Sequence, residues 1–242
     1  MKYLAYISYD GSSFDGFQTQ INKRCIEKEI ETALQRMTQC EIKIVVAGRT
    51  DKGVHAIKQA ISFETTLDIA PSKWVYGLNI RLTPEIRILE VLRVENDFHA
   101  RHSCIEKTYV YKISKSELTP FTQRYYAYVG FIDIKKMNTA LQMLVGTHDF
   151  LGFCSRVDGK ETIKTINKIL IEETDECFLF YFYGKSFLRH MIRIIMGVVN
   201  EIGQNKKDIG IISEILETCK KAPIKMAPPN GLYLFDVKYN GI

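Results

Sequence analysis

The residues best suited to chemistry in this chain lie in a short charged turn between two glycines. Arg49 and Asp51 stand two positions apart, within the run from Gly48 to Gly53. Because glycine adopts backbone angles that other residues resist, such a turn can hold a carboxylate rigidly. A guanidinium close by would keep the aspartate ionised, and an ionised, positioned carboxylate can act as a nucleophile or a general base. The same two residues could equally be a structural ion pair, and their spacing alone does not decide between these interpretations.

The histidines offer little further chemistry. His55 follows the turn and is typical of a packed or hydrogen-bonded side chain beside a strand. His99 and His102 are three positions apart and His148 adjoins Asp149, but neither pair belongs to a coherent ligand set, so no metal site is predicted. No Gly-rich phosphate loop precedes a helix, so no nucleotide cofactor is predicted either.

Composition sets broad limits on what the chain can be. Its 242 residues are 46% hydrophobic and 25% charged, which suits a globular protein of one large or two modest domains. A net charge of +5 permits an RNA partner without requiring one. The six cysteines lack the spacing of a zinc knuckle or a redox pair, and no signal region or membrane-length apolar run is visible. Free thiols and a cytoplasmic location are therefore expected.

Strands and helices alternate in the first half and must position the charged turn. Hydrophobic periodicity predicts the order β, α, β, β, α, β. The predicted elements are a strand at 3–9, a helix at 26–37, strands at 42–47 and 59–64, a short helix from Pro71 through Leu78 and a strand at 86–95. The segment 48–56 is thus predicted to be a loop between two sheet strands.

The second half repeats this architecture without visible sequence identity. Its predicted elements are strands at 107–114 and 124–129, a helix at 134–145, strands near 163–173 and 177–183, an apolar helix within 187–202, a helix at 208–219 and a strand at 232–239. Asp133 is suited to cap the start of the helix at 134–145, and Gly146 to end it. Each half approximates the split βαβ pattern of ferredoxin-like domains.

Further segments give the charged turn a context. In chain order they are YDGSSFDGFQ (9–18), GRTDKGVHA (48–56), FHAR (98–101), KTYVY (107–111), GTHDF (146–150), FLRHMIRIIMGVV (187–199) and APPNGLYL (227–234). No flanking piece is decisive by itself, but their order and spacing closely resemble the bacterial tRNA pseudouridine synthase A family. The resemblance spans nearly the whole chain.

The resemblance implies roles for four residues. Asp51 falls on the essential nucleophile of the family, and Tyr109 on the tyrosine expected to stack on the target uracil. Arg49 falls on the arginine thought to fill the place of the flipped base and to pair with the aspartate. Arg193 falls on the arginine of the apolar helix, where a buried guanidinium would need a carboxylate such as Asp51 as its partner; otherwise it would extend to solvent.

The resemblance also implies a fold, a substrate and partners. The expected fold is α+β, with ferredoxin-like halves at 1–103 and 104–242 whose antiparallel sheets join into one large central sheet backed by helices, and with an active-site cleft between the halves. The implied substrate is uridine at tRNA positions 38 to 40, on the 3′ side of the anticodon stem and loop, with a homodimeric enzyme and no cofactor. Plausible phosphate contacts are Arg24, Lys52, Lys58, Arg81, Arg101 and Lys107.

Several alternatives remain open at this point. The chain could modify another RNA such as ribosomal RNA, release the base as an N-glycosidase, or bind RNA without catalysis as a silent module or chaperone on the same fold. The route is also open: the carboxylate could attack ribose C1′, attack uracil C6, or assist formation of a glycal. Glu27 stands where many relatives have glutamine, which places a negative charge near the expected RNA path.

Overall fold

The computed structural model describes residues 1–155, 159, 161–222 and 224–242. Within them the chain forms two compact units. The first unit comprises Met1–Lys107 and Tyr233–Ile242, and the second comprises Thr108–Leu232. Residues 233–242, which the sequence placed in the C-terminal half, therefore group with the N-terminal unit.

The elements follow one another along the chain in a mixed order, which confirms the α+β class. The strands are β1 (Lys2–Tyr9), β2 (Ile44–Val46), β3 (His55–Glu64), β4 (Ile86–Val94), β5 (Cys104–Ser114), β6 (Gly146–Asp149), β7 (Ile163–Ile166), β8 (Lys168–Glu173), β9 (Cys177–Gly184) and β10 (Leu232–Tyr239). The helices are α1 (Ile26–Thr38), α2 (Pro71–Asn79), α3 (Ile134–Gln142), α4 (Met191–Gly203) and α5 (Ile211–Thr218).

The first unit has the strand order of a split βαβ domain. Its sheet runs β4-β1-β3, and β1 is antiparallel to both neighbours. β2 pairs with the last part of β3, whereas β10 lies parallel to the start of β3, with Tyr233 opposite His55. The sheet of this unit is therefore mixed, and the residues that open β3 have a strand on either side.

The core of the first unit explains why its helices form. In α1 the buried apolar residues are Ile26, Ile30, Ala33 and Leu34, which recur at steps that place them on one face. Acidic residues in the first turn and Arg36 in the last complement the helix dipole. Trp74 of α2 is fully buried and meets the rings of Tyr3 and Phe63.

In the second unit, three neighbouring strands form the main sheet. They run in the order β5-β9-β8, with β8 antiparallel to β9, and a separate hairpin pairs β6 with β7. Nearly every residue of α4 is buried, which accounts for the continuous apolar character of its sequence. No helix in the described part of the chain is long and apolar enough to cross a membrane.

Several predicted elements differ from the structure. β3 begins at His55 rather than 59, and the strand predicted at 163–173 is divided at Asn167 into β7 and β8. The helix predicted to reach 145 ends at Gln142, and the amides of Leu144 and Val145 donate to the carbonyls of Leu141 and Gln142 in a tighter turn before Gly146 opens β6.

A further difference is the strand predicted at 124–129. That segment forms only an isolated bridge between Ala127 and Ile113. The side-chain amide of Asn230 donates to the carbonyls of Gln123 and Tyr126. These long-range side-chain bonds give the backbone carbonyls a partner other than a neighbouring strand, which explains the wrong prediction.

Candidate active site

The charged turn forms a tight loop at residues 48–54, named here the Asp51 loop. It connects β2 to β3, although its sequence motif extends two residues into β3. The amide of Val54 donates to the carbonyl of Asp51 over 3.1 Å, and Gly53 has a φ of 78°, which suits glycine. Thr50 is buried and Asp51 is half-buried. The carboxylate of Asp51 thus stands on a closed turn whose backbone is partly sequestered from water.

Two buried side chains hold the start of the Asp51 loop. The Tyr9 hydroxyl, at the end of β1, lies 2.8 Å from Thr50 Oγ1. The Gln59 amide, in β3, donates to the carbonyl of Gly48 over 2.7 Å and lies 3.4 Å from the Tyr9 hydroxyl. Burial raises the pKa of Tyr9 to about 12, against the opposing effect of its hydrogen bonds with Thr50 and Gln59. Tyr9 is therefore a neutral phenol at physiological pH, able to donate and accept.

The loop at residues 10–17 packs against the Asp51 loop, backbone to backbone. The amide of Phe17 donates to the carbonyl of Thr50 over 3.0 Å. A Cβ on Gly16, whose φ is 100°, would lie 3.1 Å from that same carbonyl oxygen. A Cβ on Gly11 would lie only 2.0 Å from the carbonyl oxygen of Val54. This close approach requires glycine at both positions.

His55 is a structural residue, as its sequence context predicted. It is 2% exposed and stacks on the ring of Tyr233, with centroids 4.6 Å apart. Its Nδ1 accepts from the amide of Gly11 at 3.1 Å and lies 3.2 Å from Asp10 Oδ1. His55 therefore ties the loop at 10–17 to the first residue of β3.

The residues that anchor the Asp51 loop were not identified from the sequence. Tyr9, Gly11 and Gly16 belong to the segment 9–18, which carries part of the family resemblance, but a sequence pattern does not show what these residues contact. Gln59 is a polar residue that precedes the apolar pair Ala60 and Ile61 in β3, and it is fully buried. A polar residue at such a position requires a buried partner, and here the partner is the Asp51 loop.

The predicted ion pair between Arg49 and Asp51 is wrong for this structure. Arg49 is exposed and forms no ion pair among the described residues. The intervening Thr50 turns inward to Tyr9, and the side chain of Arg49 is left in solvent. The guanidinium of Arg49 is consequently available to a ligand.

Tyr109 and Arg193 belong to the second unit. Tyr109, on β5, is 8% exposed. Its ring and that of Phe187 form a T-shaped pair with a centroid distance of 5.2 Å and an angle of 80° between the ring planes. Arg193 is half-buried in the first turn of α4, and its Nε donates to the carbonyl of Ala227 over 2.9 Å. The amide of Ala227 donates back to the carbonyl of Arg193, also over 2.9 Å. Both side chains are therefore held in defined positions within their unit.

Arg24, one of the predicted phosphate contacts, is engaged within the protein. Its guanidinium pairs with Glu29 at 3.1 Å and with Glu85 at 3.2 Å, and it covers the ring of Phe14 at 4.4 Å. The bond with Glu85 is the main reason that the pKa of Arg24 is raised. Contact with a phosphate would require these pairs to open.

The other predicted phosphate contacts differ in whether their side chains already contact other groups of the protein. Lys52 pairs with Asp15 at 2.8 Å, Lys58 lies 3.4 Å from Asp236 and over the ring of Tyr6, Arg81 donates to the carbonyl of Gly77, Lys107 is buried, and Arg101 is exposed. Glu27 accepts the amide of Thr19 over 2.7 Å, so its carboxylate braces the chain ahead of α1. Within the described ranges, no three histidine, cysteine, aspartate or glutamate side chains are grouped so as to hold a metal ion.

Comparison with known proteins shows the family to which the chain belongs. A family model described as tRNA pseudouridine synthase matches residues 5–103 and 140–240. The chain belongs to this family. It is 36% identical over 238 residues to tRNA pseudouridine synthase A of Staphylococcus aureus (strain JH1), and 39% identical to that of Staphylococcus saprophyticus. Each alignment covers 97% of this chain and 89% of the relative.

Likeness to solved structures is weaker. A chain from the structure of an H/ACA RNP bound to a substrate RNA containing 2′-deoxyuridine aligns over 82% of this chain and 53% of its own length. The sequence identity is 12% and the TM-score is 0.36, too low to support a conclusion about fold or function.

Proposed function

We propose that this chain isomerises uridine to pseudouridine in tRNA, and that Asp51 is its nucleophile. The observation that carries the proposal is the membership in the tRNA pseudouridine synthase family, with relatives that align over 97% of the chain. The finer proposal, from the resemblance of the motifs, is that the target uridines lie at positions 38 to 40 of the anticodon stem and loop. We propose also that the enzyme acts in the cytoplasm as a homodimer.

The reaction suits a fixed carboxylate. The bond from ribose C1′ to uracil N1 breaks, the base turns, C1′ bonds to C5, the C5 proton leaves, and N1 gains a proton. No oxidation occurs and no group is lost. Asp51 can form a covalent bond to C1′ or to C6, or remove a sugar proton on the way to a glycal, by a logic that resembles that of retaining glycosidases. The closed Asp51 loop supports any of these routes, since it holds the carboxylate before the substrate arrives.

The target base must leave its stack, which costs a few kcal/mol. Arg49 supports this step in our proposal, because its exposed guanidinium is free of ion pairs among the described residues and can occupy the space that the base leaves. Tyr109 stacks on the flipped uracil, and its ring is already fixed by Phe187. For Arg193 we propose the role implied by the resemblance, which is to keep the catalytic carboxylate ionised.

We expect Tyr109→Phe and Tyr109→Ala to separate stacking from proton transfer. The phenylalanine variant keeps the ring and its packing on Phe187 but loses the phenol. If the phenol accepts the C5 proton, Tyr109→Phe lowers kcat about 10²-fold and leaves tRNA binding intact. Tyr109→Ala also loses stacking, worth about 1–3 kcal/mol, so KM rises as well. Steady-state kinetics measure both effects, with Tyr128→Phe at an exposed tyrosine as the control. Full activity of Tyr109→Phe would limit Tyr109 to stacking.

The proposed function is tested with a tRNA transcript whose uridines carry tritium at C5. We expect tritium to be released as the C5 proton leaves, and pseudouridine to be found at positions 38 to 40. Activity on ribosomal RNA alone would indicate a paralogue with another substrate. Free uracil and an abasic site would indicate an N-glycosidase, and binding without any product would indicate a silent RNA-binding protein.

A further inference from the structure

We infer that Tyr9 and Gln59 are positioning residues for the reaction. They hold the Asp51 loop in place through hydrogen bonds to Thr50 and Gly48. This inference rests on the proposed function. Neither residue is proposed to touch the RNA, because Tyr9 is 4% exposed and Gln59 is fully buried. Their polar atoms face the loop instead.

The anchors reach the loop at two separate places. Gln59 bonds to the carbonyl of Gly48, at the start of the loop, and Tyr9 bonds to the hydroxyl of Thr50, the residue directly before Asp51. The two anchors come from adjacent antiparallel strands, in which Ile7 lies opposite Gln59 and Tyr9 lies opposite Ala56. Both are therefore as rigid as the sheet itself.

The chemistry of the anchors is unusual for their position. A buried amide or hydroxyl loses its hydration, and an apolar side chain of similar size would avoid that cost. Gln59 nevertheless stands among the buried Ala60, Ile61 and Phe63 of β3. Its Nε2 is directed to the loop and to Tyr9, and its Oε1 accepts the amide of Ala60 at 3.1 Å. Every polar atom of this side chain thus has a partner, and the donor group serves the Asp51 loop.

Fixing Thr50 matters because it adjoins the nucleophile. When an anchor is removed, the loop keeps its backbone bond from Phe17 to Thr50, so it stays folded but less narrowly defined. A displacement of about 1 Å at a reacting group can cost about 10²-fold in rate. Loss of an anchor should therefore lower kcat with little effect on tRNA binding. A general loss of stability would lower both.

The test compares Tyr9→Phe with Tyr3→Phe. Tyr3 lies on the same strand, is fully buried, and donates its hydroxyl to the carbonyl of Ile69 over 2.9 Å, in a different part of the unit. Tyr9→Phe loses the hydroxyl that meets Thr50 and Gln59, Tyr3→Phe loses the hydroxyl that meets Ile69, and each variant keeps its ring. We expect Tyr9→Phe to lower kcat about 10-fold to 100-fold with KM within about 2-fold of the wild type, and Tyr3→Phe to leave both unchanged.

Two variants of Thr50, the hydrogen-bond partner of Tyr9, test whether loss of this bond causes the loss of activity. Thr50→Ser keeps the hydroxyl that meets Tyr9 and should retain most activity, whereas Thr50→Val keeps the shape and should lose as much as Tyr9→Phe. Combining Tyr9→Phe with Thr50→Val should cost little more than either alone, since both remove the same bond. Equal kcat for Tyr9→Phe and Tyr3→Phe, or fully additive losses in the double variant, would overturn the inference.

Amide hydrogen exchange decides the matter independently of catalysis. The amide of Val54 closes the turn on Asp51 and reports on the loop. We expect it to exchange at least about 10-fold faster in Tyr9→Phe and Gln59→Met than in Tyr3→Phe. Unchanged exchange would overturn the inference even if the wild-type protein is active. A wild-type protein that forms no pseudouridine would refute the proposed function, while the exchange rates would still show whether Tyr9 and Gln59 hold the loop.

Discussion

Asp51→Asn should abolish the isomerisation of uridine, with a loss of at least about 10⁴-fold in kcat. Asparagine has nearly the same shape but carries no charge, and it is a poor nucleophile for C1′ or C6 and a poor base for a sugar proton. A loss of this size corresponds to about 5.5 kcal/mol of transition-state stabilisation. Tritium release from labelled tRNA under single-turnover conditions measures it.

The fold should survive this substitution. The anchors of the Asp51 loop run through Gly48, Thr50 and Phe17 and do not involve the Asp51 carboxylate. Circular dichroism and tRNA affinity should therefore match the wild type. Asp68→Asn is the control, because Asp68 is an exposed aspartate that pairs with Arg93, outside the Asp51 loop. Tritium release at the wild-type rate in Asp51→Asn would remove this residue as the nucleophile.

Gly11→Ala should destabilise the protein by about 3 kcal/mol or more and should lower activity even in the molecules that remain folded. The added Cβ would lie 2.0 Å from the carbonyl oxygen of Val54 and 2.6 Å from its carbonyl carbon. These are backbone atoms at the end of the Asp51 loop, so they can move only if the loop moves. Denaturant midpoints and kcat per folded molecule measure the two effects.

Gly77→Ala provides a matched comparison in the same unit. Its Cβ would meet the end of the Met37 side chain at 2.7 Å, which is also too close. The thioether is flexible, however, and alanine favours the helix more than glycine by about 1 kcal/mol. We expect a midpoint close to that of the wild type and normal kcat. If Gly11→Ala were as mild as Gly77→Ala, the rigid contact between the two loops would not exist in solution.

The sequence predicted those elements whose patterns are long and regular. The helix at 26–37 and the last strand at 232–239 were predicted closely, because three or more apolar residues recur with one period. The segment 124–129 has the aromatic content of a strand, but bonds from Asn230, which is far away in sequence, decide its conformation. A local pattern carries no information about such a partner.

The candidate site likewise has features that a local sequence pattern predicts and features that depend on distant residues. The Asp51 loop could be predicted as a loop with a potentially catalytic carboxylate because its residue types and glycines are contiguous. The predicted pairing of Arg49 with Asp51 was wrong, since closeness in sequence does not show which way each side chain points. The roles of Tyr9 and Gln59 could not be predicted, because they depend on the register of two strands separated by some fifty positions in the chain.

The parallel pairing of β10 with β3 has a consequence for synthesis. The strand that flanks His55 is translated only after the whole of the second unit, so the sheet beneath the Asp51 loop cannot be completed while the nascent chain is still short. Closing so long a loop is slow relative to local folding. The sheet of the N-terminal unit should therefore remain incomplete until β10 has been translated. We expect an unfinished chain on the ribosome to lack an assembled site and so to be inactive toward the tRNA around it.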